Sequence, residues 1–166
     1  MKVVSDTSPI HYLVLIGEER VLPALFGTLL VPAEVIGELA HRRSPSLVRD
    51  WVTTIPSWIT VIDHVSSLAD PKLGPGESAA IAAAMDRAAR LLLIDERYGT
   101  RVARDLRLTT VGTVGILAAA AEKGLVSLRT SFDALRSTSF RGPEELMDEL
   151  LRMDVNAGRK VQRAAG

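Results

Sequence analysis

The chain has 166 residues and no cysteine, enough for one domain with a real core but with neither a disulfide framework nor a thiolate metal site. Twenty acidic and twenty basic side chains cancel to a formal charge of zero, which argues against a protein held on nucleic acid by a global positive field and leaves open a local basic stripe beside an acidic pocket. Hydrophobic residues make up 47% and aromatics only 4%, so the core must be built from Leu, Ile, Val and Ala.

The opening "MKVVSDTSPI" reads as a short buried strand followed by Asp6 and a helix. Pro9 suits the first helical position, where its missing donor costs nothing, and that places Ser8 at the cap. Asp6 then stands two residues early, and an Asx turn is its ordinary explanation. A helix over "PIHYLVLIGEE" and another over "RVLPALFG" lead to a second strand, "TLLVP". "PAEVIGELAHRR" and "SPSLVRDWVTT" are helical, and "WITVID" is a third strand. "LADPKLGPG" is the most turn-rich stretch, leading into the Ala-rich helix "GPGESAAIAAAMDRAAR". "LLLID" is a fourth strand, "ERYGTRVARDLR" a helix and "LTTVG" a fifth strand. "TVGILAAAAEKG" is a helix that stops at Gly124, a natural C-cap. Two further helices follow, near 128–137 and 143–154. The tail "NAGRKVQRAAG" has no apolar period, and 157–166 is expected to be a disordered basic end. Continuous apolar strands separated by helices predict a three-layer α/β/α sandwich around a five-stranded parallel sheet, one domain over residues 1–156.

With Lys2 and Asp6 bracketing three residues, no signal-peptide core is expected. The longest apolar run, Val111 to Ala121, is too short to span a bilayer and contains Gly112 and Gly115, so no membrane association is expected. The absence of cysteine fits a reducing cytoplasm.

The acids fall where ligands bind in open α/β sheets, beyond the carboxyl ends of the strands. Asp6 ends the first strand and Asp95 the fourth. If those strands are neighbours, the two carboxylates share one crevice, although Asp95 also reads as the cap of the helix that follows. Glu77 heads a stripe with Ile81, Ala84 and Ala88, and so points along a buried helix face; an acid in a first turn also serves the helix dipole. Glu38 lies at the edge of the apolar face of Val35, Ile36 and Leu39, whereas Glu34 lies further round and suits the first-turn dipole. Asp63 is a weaker candidate, and His64 reads as a surface histidine. Four carboxylates in one place raise one another's pKa values, and the usual remedy is a divalent cation. Oxygen ligands without cysteine or grouped histidine favour Mg²⁺ or Mn²⁺, ions that commonly serve phosphoryl chemistry. Arg97, Arg101 and Arg104 share one helix face just after Asp95, and His41, Arg42 and Arg43 follow Glu38. Each group also reads as an ordinary solvated face.

The ordered set "VVSDTSPI", "VPAEVIGEL", "GPGESAAIAAA", "LLLIDERYGTRVARDL" and "TTVGTVGILAAAAEKGLV" resembles the PIN-domain family over most of residues 2 to 126. It is most similar to the branch whose third motif is a Gly-Glu before an Ala-rich helix, a branch similar to the VapC toxins of toxin–antitoxin pairs. The resemblance implies a five-stranded parallel sheet and Mg²⁺- or Mn²⁺-dependent cleavage of RNA, leaving a 5′-phosphate and a 3′-hydroxyl. By motif, the four family acids fall on Asp6, Glu38, Glu77 and Asp95, with Thr7 and Ser8 as supporting groups around the first. Arg43, Arg97 and Arg101 are then the expected RNA-backbone contacts. An antitoxin partner and a homodimer are also implied. The chain departs from the toxins in having Glu77 where Asp is common, in "LLLIDERYGTRVA" around the fourth acid, and in two helices beyond Val126. A PIN-like module that binds RNA or protein with little catalysis is the competing expectation. A haloacid-dehalogenase-like phosphatase would need an Asp where Ser8 stands, and a response-regulator receiver would need a lysine where Thr113 and Gly115 stand.

Overall fold

The structure is a computed structural model, and it describes residues 1–63 and 66–166. His64 therefore lies outside the described residues. Val3–Ser5 forms β1, buried along its whole length as a central parallel strand must be. Thr7–Leu15 (α1) and Val21–Phe26 (α2) follow, then β2 over Leu29–Pro32. Ala33–Leu39 (α3) and Ser46–Val52 (α4) precede β3 at Ile59–Ile62. Pro75–Asp86 is α5, Leu91–Leu93 is β4 and Arg97–Asp105 is α6. Thr110–Val111 (β5), Thr113–Glu122 (α7), Leu128–Arg136 (α8) and Glu144–Ala165 (α9) complete the order.

The five strands pair in parallel in the order β3-β2-β1-β4-β5. Ser5 lies opposite Leu93, and the Asp6 amide donates to the Leu93 carbonyl at 2.8 Å, so the β1–β4 ladder runs up to Asp6 itself. Chain direction through the sheet reverses between β1 and β4, which makes their carboxyl ends the crevice where α/β sheets take ligands. Alternation along each strand divides the core. Val3 and Leu93 join the layer of α1, α2, α4 and α7, while Val4 and Leu92 join the layer of α5 and α6. The expected three-layer α/β/α sandwich is therefore the architecture found.

The helices beyond Val126 are part of that core. Phe132, Leu135, Phe140, Met147 and Leu151 pack in the same cluster as Val3 and Leu13. Arg136 joins α8 to α9 through Glu144 at 3.0 Å and Asp148 at 2.9 Å. The last helix continues through residues 157–165, where the sequence suggested a frayed tail, and the side chains there are exposed.

Several boundaries differ from expectation. α1 starts at Thr7 with Asp6, not Ser8, in the cap position. Pro9 is the third helical residue, still within the turn whose amides have no intrahelical acceptor. α3 ends at Leu39, so His41, Arg42 and Arg43 follow it in a turn rather than on its face. α5 ends at Asp86, and Ala88 has left the helix with φ +48°. Gly124 stops α7 as expected, with φ +70°. Among the described residues no helix is long and apolar enough to cross a membrane.

Candidate functional site

Asp6 holds a cap position without capping. Its backbone is extended (φ −77°, ψ 175°), but its side chain takes no bond from the amides of the first turn that a cap would serve. The residue is 2% exposed, and Oδ1 is buried with no hydrogen-bond partner. Burial pushes its carboxyl from 3.8 up to about 7; the Thr7 amide opposes this, while the charges of Glu77, Glu38 and Asp95 add to it. Asp6 thus lies in the field of the other three acids.

Each of those acids is placed by a different element. Glu38 reaches from α3 to accept from the Thr7 hydroxyl and, at 2.8 Å, from the Gly76 amide. Glu77 stands in the first turn of α5, where the Gly74 amide favours its charge as in half a capping box. Its Oε2 is buried without a partner, and burial raises its pKa from 4.5 to about 7, with the charge of Glu96 adding to the effect. Asp95 follows β4 and accepts from the Thr113 amide at 2.7 Å and from the Thr113 hydroxyl at 2.6 Å. Burial raises its pKa against those two bonds.

Three glycines leave room for these carboxylates. A Cβ on Gly99 would come within 2.6 Å of Glu77 Oε2, and one on Gly112 within 2.8 Å of Asp95 Oδ1. A Cβ on Gly76 would collide with the Glu38 carboxylate. Their φ values are ordinary, so close approach of an acid, not backbone strain, is what suits glycine at these positions.

The four expected acids therefore surround one end of the sheet, and Thr7 supports Glu38. Ser8 lies instead on the wall of a cleft of about 980 Å³ that also holds Asp95, Arg97, Arg101 and Arg104. Arg43 lines a separate cleft of about 500 Å³ with Glu38, His11 and His41. Glu34 sits in the first turn of α3, as its dipole role requires. Asp63 is exposed at the end of the edge strand β3, away from the β1–β4 crevice.

Two contributors escaped the sequence reading. Glu96, not Asp95, caps α6, accepting from the Gly99 amide at 2.8 Å, and its carboxylate also meets that of Glu77. Thr113 fixes Asp95. Both signals were faint, because an acid or a threonine before a helix is an ordinary start residue.

The donor set suits a hard divalent cation: all oxygens, two of them buried and unpartnered, in a field that disfavours ionisation. Among the described residues, however, no three acids stand close enough to form a finished metal cage. Glu38 and Asp95 are tied to protein donors instead.

A family model described as PIN domain matches residues 2–155. No curated protein matches the chain. Among solved structures, the fold is similar to a PilT N-terminus domain protein, SSO1118, from the hyperthermophilic archaeon Sulfolobus solfataricus P2. That likeness has a TM-score of 0.52 at 16% identity, over 74% of this chain and 95% of the other. The five-stranded parallel sheet, the acids beyond its central strands and the match over residues 2–155 make this chain a member of the PIN-domain family.

Proposed function

We propose that this PIN-domain protein is a divalent-metal-dependent endoribonuclease. The supporting observation is the pair of buried, unpartnered carboxylate oxygens, Asp6 Oδ1 and Glu77 Oε2, at the β1–β4 crevice. Leaving such oxygens without a donor costs about 1–3 kcal/mol each, more when charged, and a site built to hold a cation explains why the cost persists. Asp6 and Glu77 hold the ion, and Asp95 and Glu38 complete its oxygen ligands. Mg²⁺ or Mn²⁺, when bound, supplies polarisation of the phosphate and an activated water. Thr113 keeps Asp95 turned to the site, and Thr7 does the same for Glu38. Arg97 and Arg101 on one side, and Arg43 on the other, hold the flanking phosphates.

The test is cleavage of a labelled single-stranded RNA with Mn²⁺, with EDTA, and by a folded Asp6→Asn variant. Cleavage by the wild type with Mn²⁺ alone supports the assignment, and full activity of Asp6→Asn overturns it. A toxin role restrained by an antitoxin belongs to the same reading, supported by the resemblance to the VapC branch. Induced expression should then arrest growth for the wild type and not for Asp6→Asn. A second reading, an RNA- or protein-binding module with little catalysis, is favoured by the tethering of Glu38 and Asp95 to protein donors. It predicts RNA binding that is indifferent to Mn²⁺ and no cleavage.

A further inference from the structure

The cleft of about 980 Å³ beside Asp95 has walls from two distant parts of the chain. One wall is α6, which presents Arg97, Arg101 and Arg104. The other is the connection from α8 to α9, residues 139–143, which lies in the stretch beyond Val126 that the PIN motifs do not reach.

This connection is anchored. Phe140 is buried, and its ring stands edge-on to Tyr12 of α1 with centroids 5.0 Å apart. The Ser139 and Tyr12 hydroxyls lie 3.2 Å apart. Gly142 packs against the Phe140 ring, where a Cβ would collide. These contacts hold the segment that carries Arg141, a residue of the cleft lining. The Arg141 side chain is exposed, and its one hydrogen bond among the described residues goes to the neighbouring Phe140 carbonyl at 3.4 Å.

Among the described residues none of Arg97, Arg101, Arg104 and Arg141 forms an ion pair with a carboxylate; the ion pairs there belong to Arg136. In a chain of zero net charge, these guanidinium groups outnumber the carboxylates on the cleft lining. They face Asp95, Glu96 and Asp105 on the same lining. A lining that sets guanidinium groups beside Asp95 and Glu96 suits a polyanion whose reacting phosphate is drawn toward those acids.

We propose that residues 139–143 form a wall of the substrate site, and that Arg141 binds the phosphodiester backbone of a single-stranded polynucleotide. The inference rests on the nuclease reading and names a wall of the site outside the five quoted motifs but within residues 2–155, which the family model matches. A single strand is favoured because Asp6 is 2% exposed, and a flexible strand can bend a phosphate into such a recess where a stiff duplex cannot.

The experiment measures fluorescence anisotropy of a labelled oligouridylate with the full-length Asp6→Asn protein over a range of salt. Arg141→Ala in that background should weaken binding by about five- to tenfold and reduce the salt slope by about 0.7, the release expected for one phosphate contact on a single strand. Arg141→Lys should recover most of the affinity. Arg129→Ala, an exposed arginine outside this cleft, should change neither quantity. In the wild-type background Arg141→Ala should raise KM more than it lowers kcat. Unchanged affinity and slope for Arg141→Ala would overturn the proposal, as would failure of the parent to bind the strand or tighter binding to duplex. Mn²⁺-dependent cleavage by the wild type decides the nuclease reading separately, so failure of that reading is distinguished from failure of the Arg141 contact.

Discussion

A carboxylate that occupies a cap position and does not cap is the residue-scale anomaly on which the site turns. Asp6 is pushed up to about 7 by burial first and by three neighbouring acids after it, and Glu77 reaches about 7 by burial and the nearby Glu96. A group bound to its proton in the folded state and ionised in the unfolded chain stabilises folding most below the unfolded value of 3.8. That contribution is lost as the pH rises toward the folded value of about 7. The metal-free protein should therefore be more stable to urea near pH 5 than near pH 8. Asp6→Asn should flatten that difference and raise stability at the higher pH. Mn²⁺ at pH 8 should stabilise the wild type and not the variant. A wild type equally stable at both pH values in EDTA would contradict the burial of these acids. Asp6 drew attention in the sequence because it ends an apolar strand, although an Asx turn explained it equally well there. Glu96 and Thr113 were not, because ordinary start chemistry explained each completely and only the fold brings them to Glu77 and Asp95.

At the scale of elements, short contacts between one helix or loop and the next hold the acids. α6 passes so close to α5 that Gly99 faces the Glu77 carboxylate and the Ile94 side chain, and a Cβ there would lie only 2.6 and 2.9 Å from them. Gly99→Ala should lower cleavage at least about tenfold and cost about 1–3 kcal/mol, the range for overpacking a filled site. Equal activity and melting temperature would show that α6 moves aside freely. Thr113→Val removes both the hydroxyl bond to Asp95 and a polar atom that is otherwise fully buried. It should cost about 1–2 kcal/mol and reduce activity while leaving the amide bond from residue 113 in place. Strands and helices were readable because runs such as "LLLI" and "VVS" are apolar without alternation, the mark of a sheet covered on both faces. Boundaries were less so. Pro9 is tolerated anywhere in the first turn, so it could not separate Ser8 from Asp6 as the cap. The approach of Gly76, Gly99 and Gly112 to carboxylates is a tertiary fact with no local periodicity to announce it.

For the whole molecule, the segment beyond Val126 is structural as well as a cleft wall. Phe132 is fully buried and shares a cluster with Val3, Leu13 and Leu93. Phe132→Ala should cost about 3–5 kcal/mol, measured by urea denaturation. A loss under about 1 kcal/mol would mean that α8 packs loosely and that the sheet is stable without it. Sequence patterning foresaw the helices near 128–137 and 143–154 but not where they dock, since an amphipathic stripe names a buried face and not its partner. The central claim, that Asp6 closes its strand in order to hold a cation, is tested most directly by calorimetric titration of Mn²⁺ into the wild type and Asp6→Asn at pH 8, with circular dichroism to verify folding. Saturable binding to the wild type and none to the folded variant is the expected result. Equal binding to both would contradict the claim and leave Asp6 a turn residue.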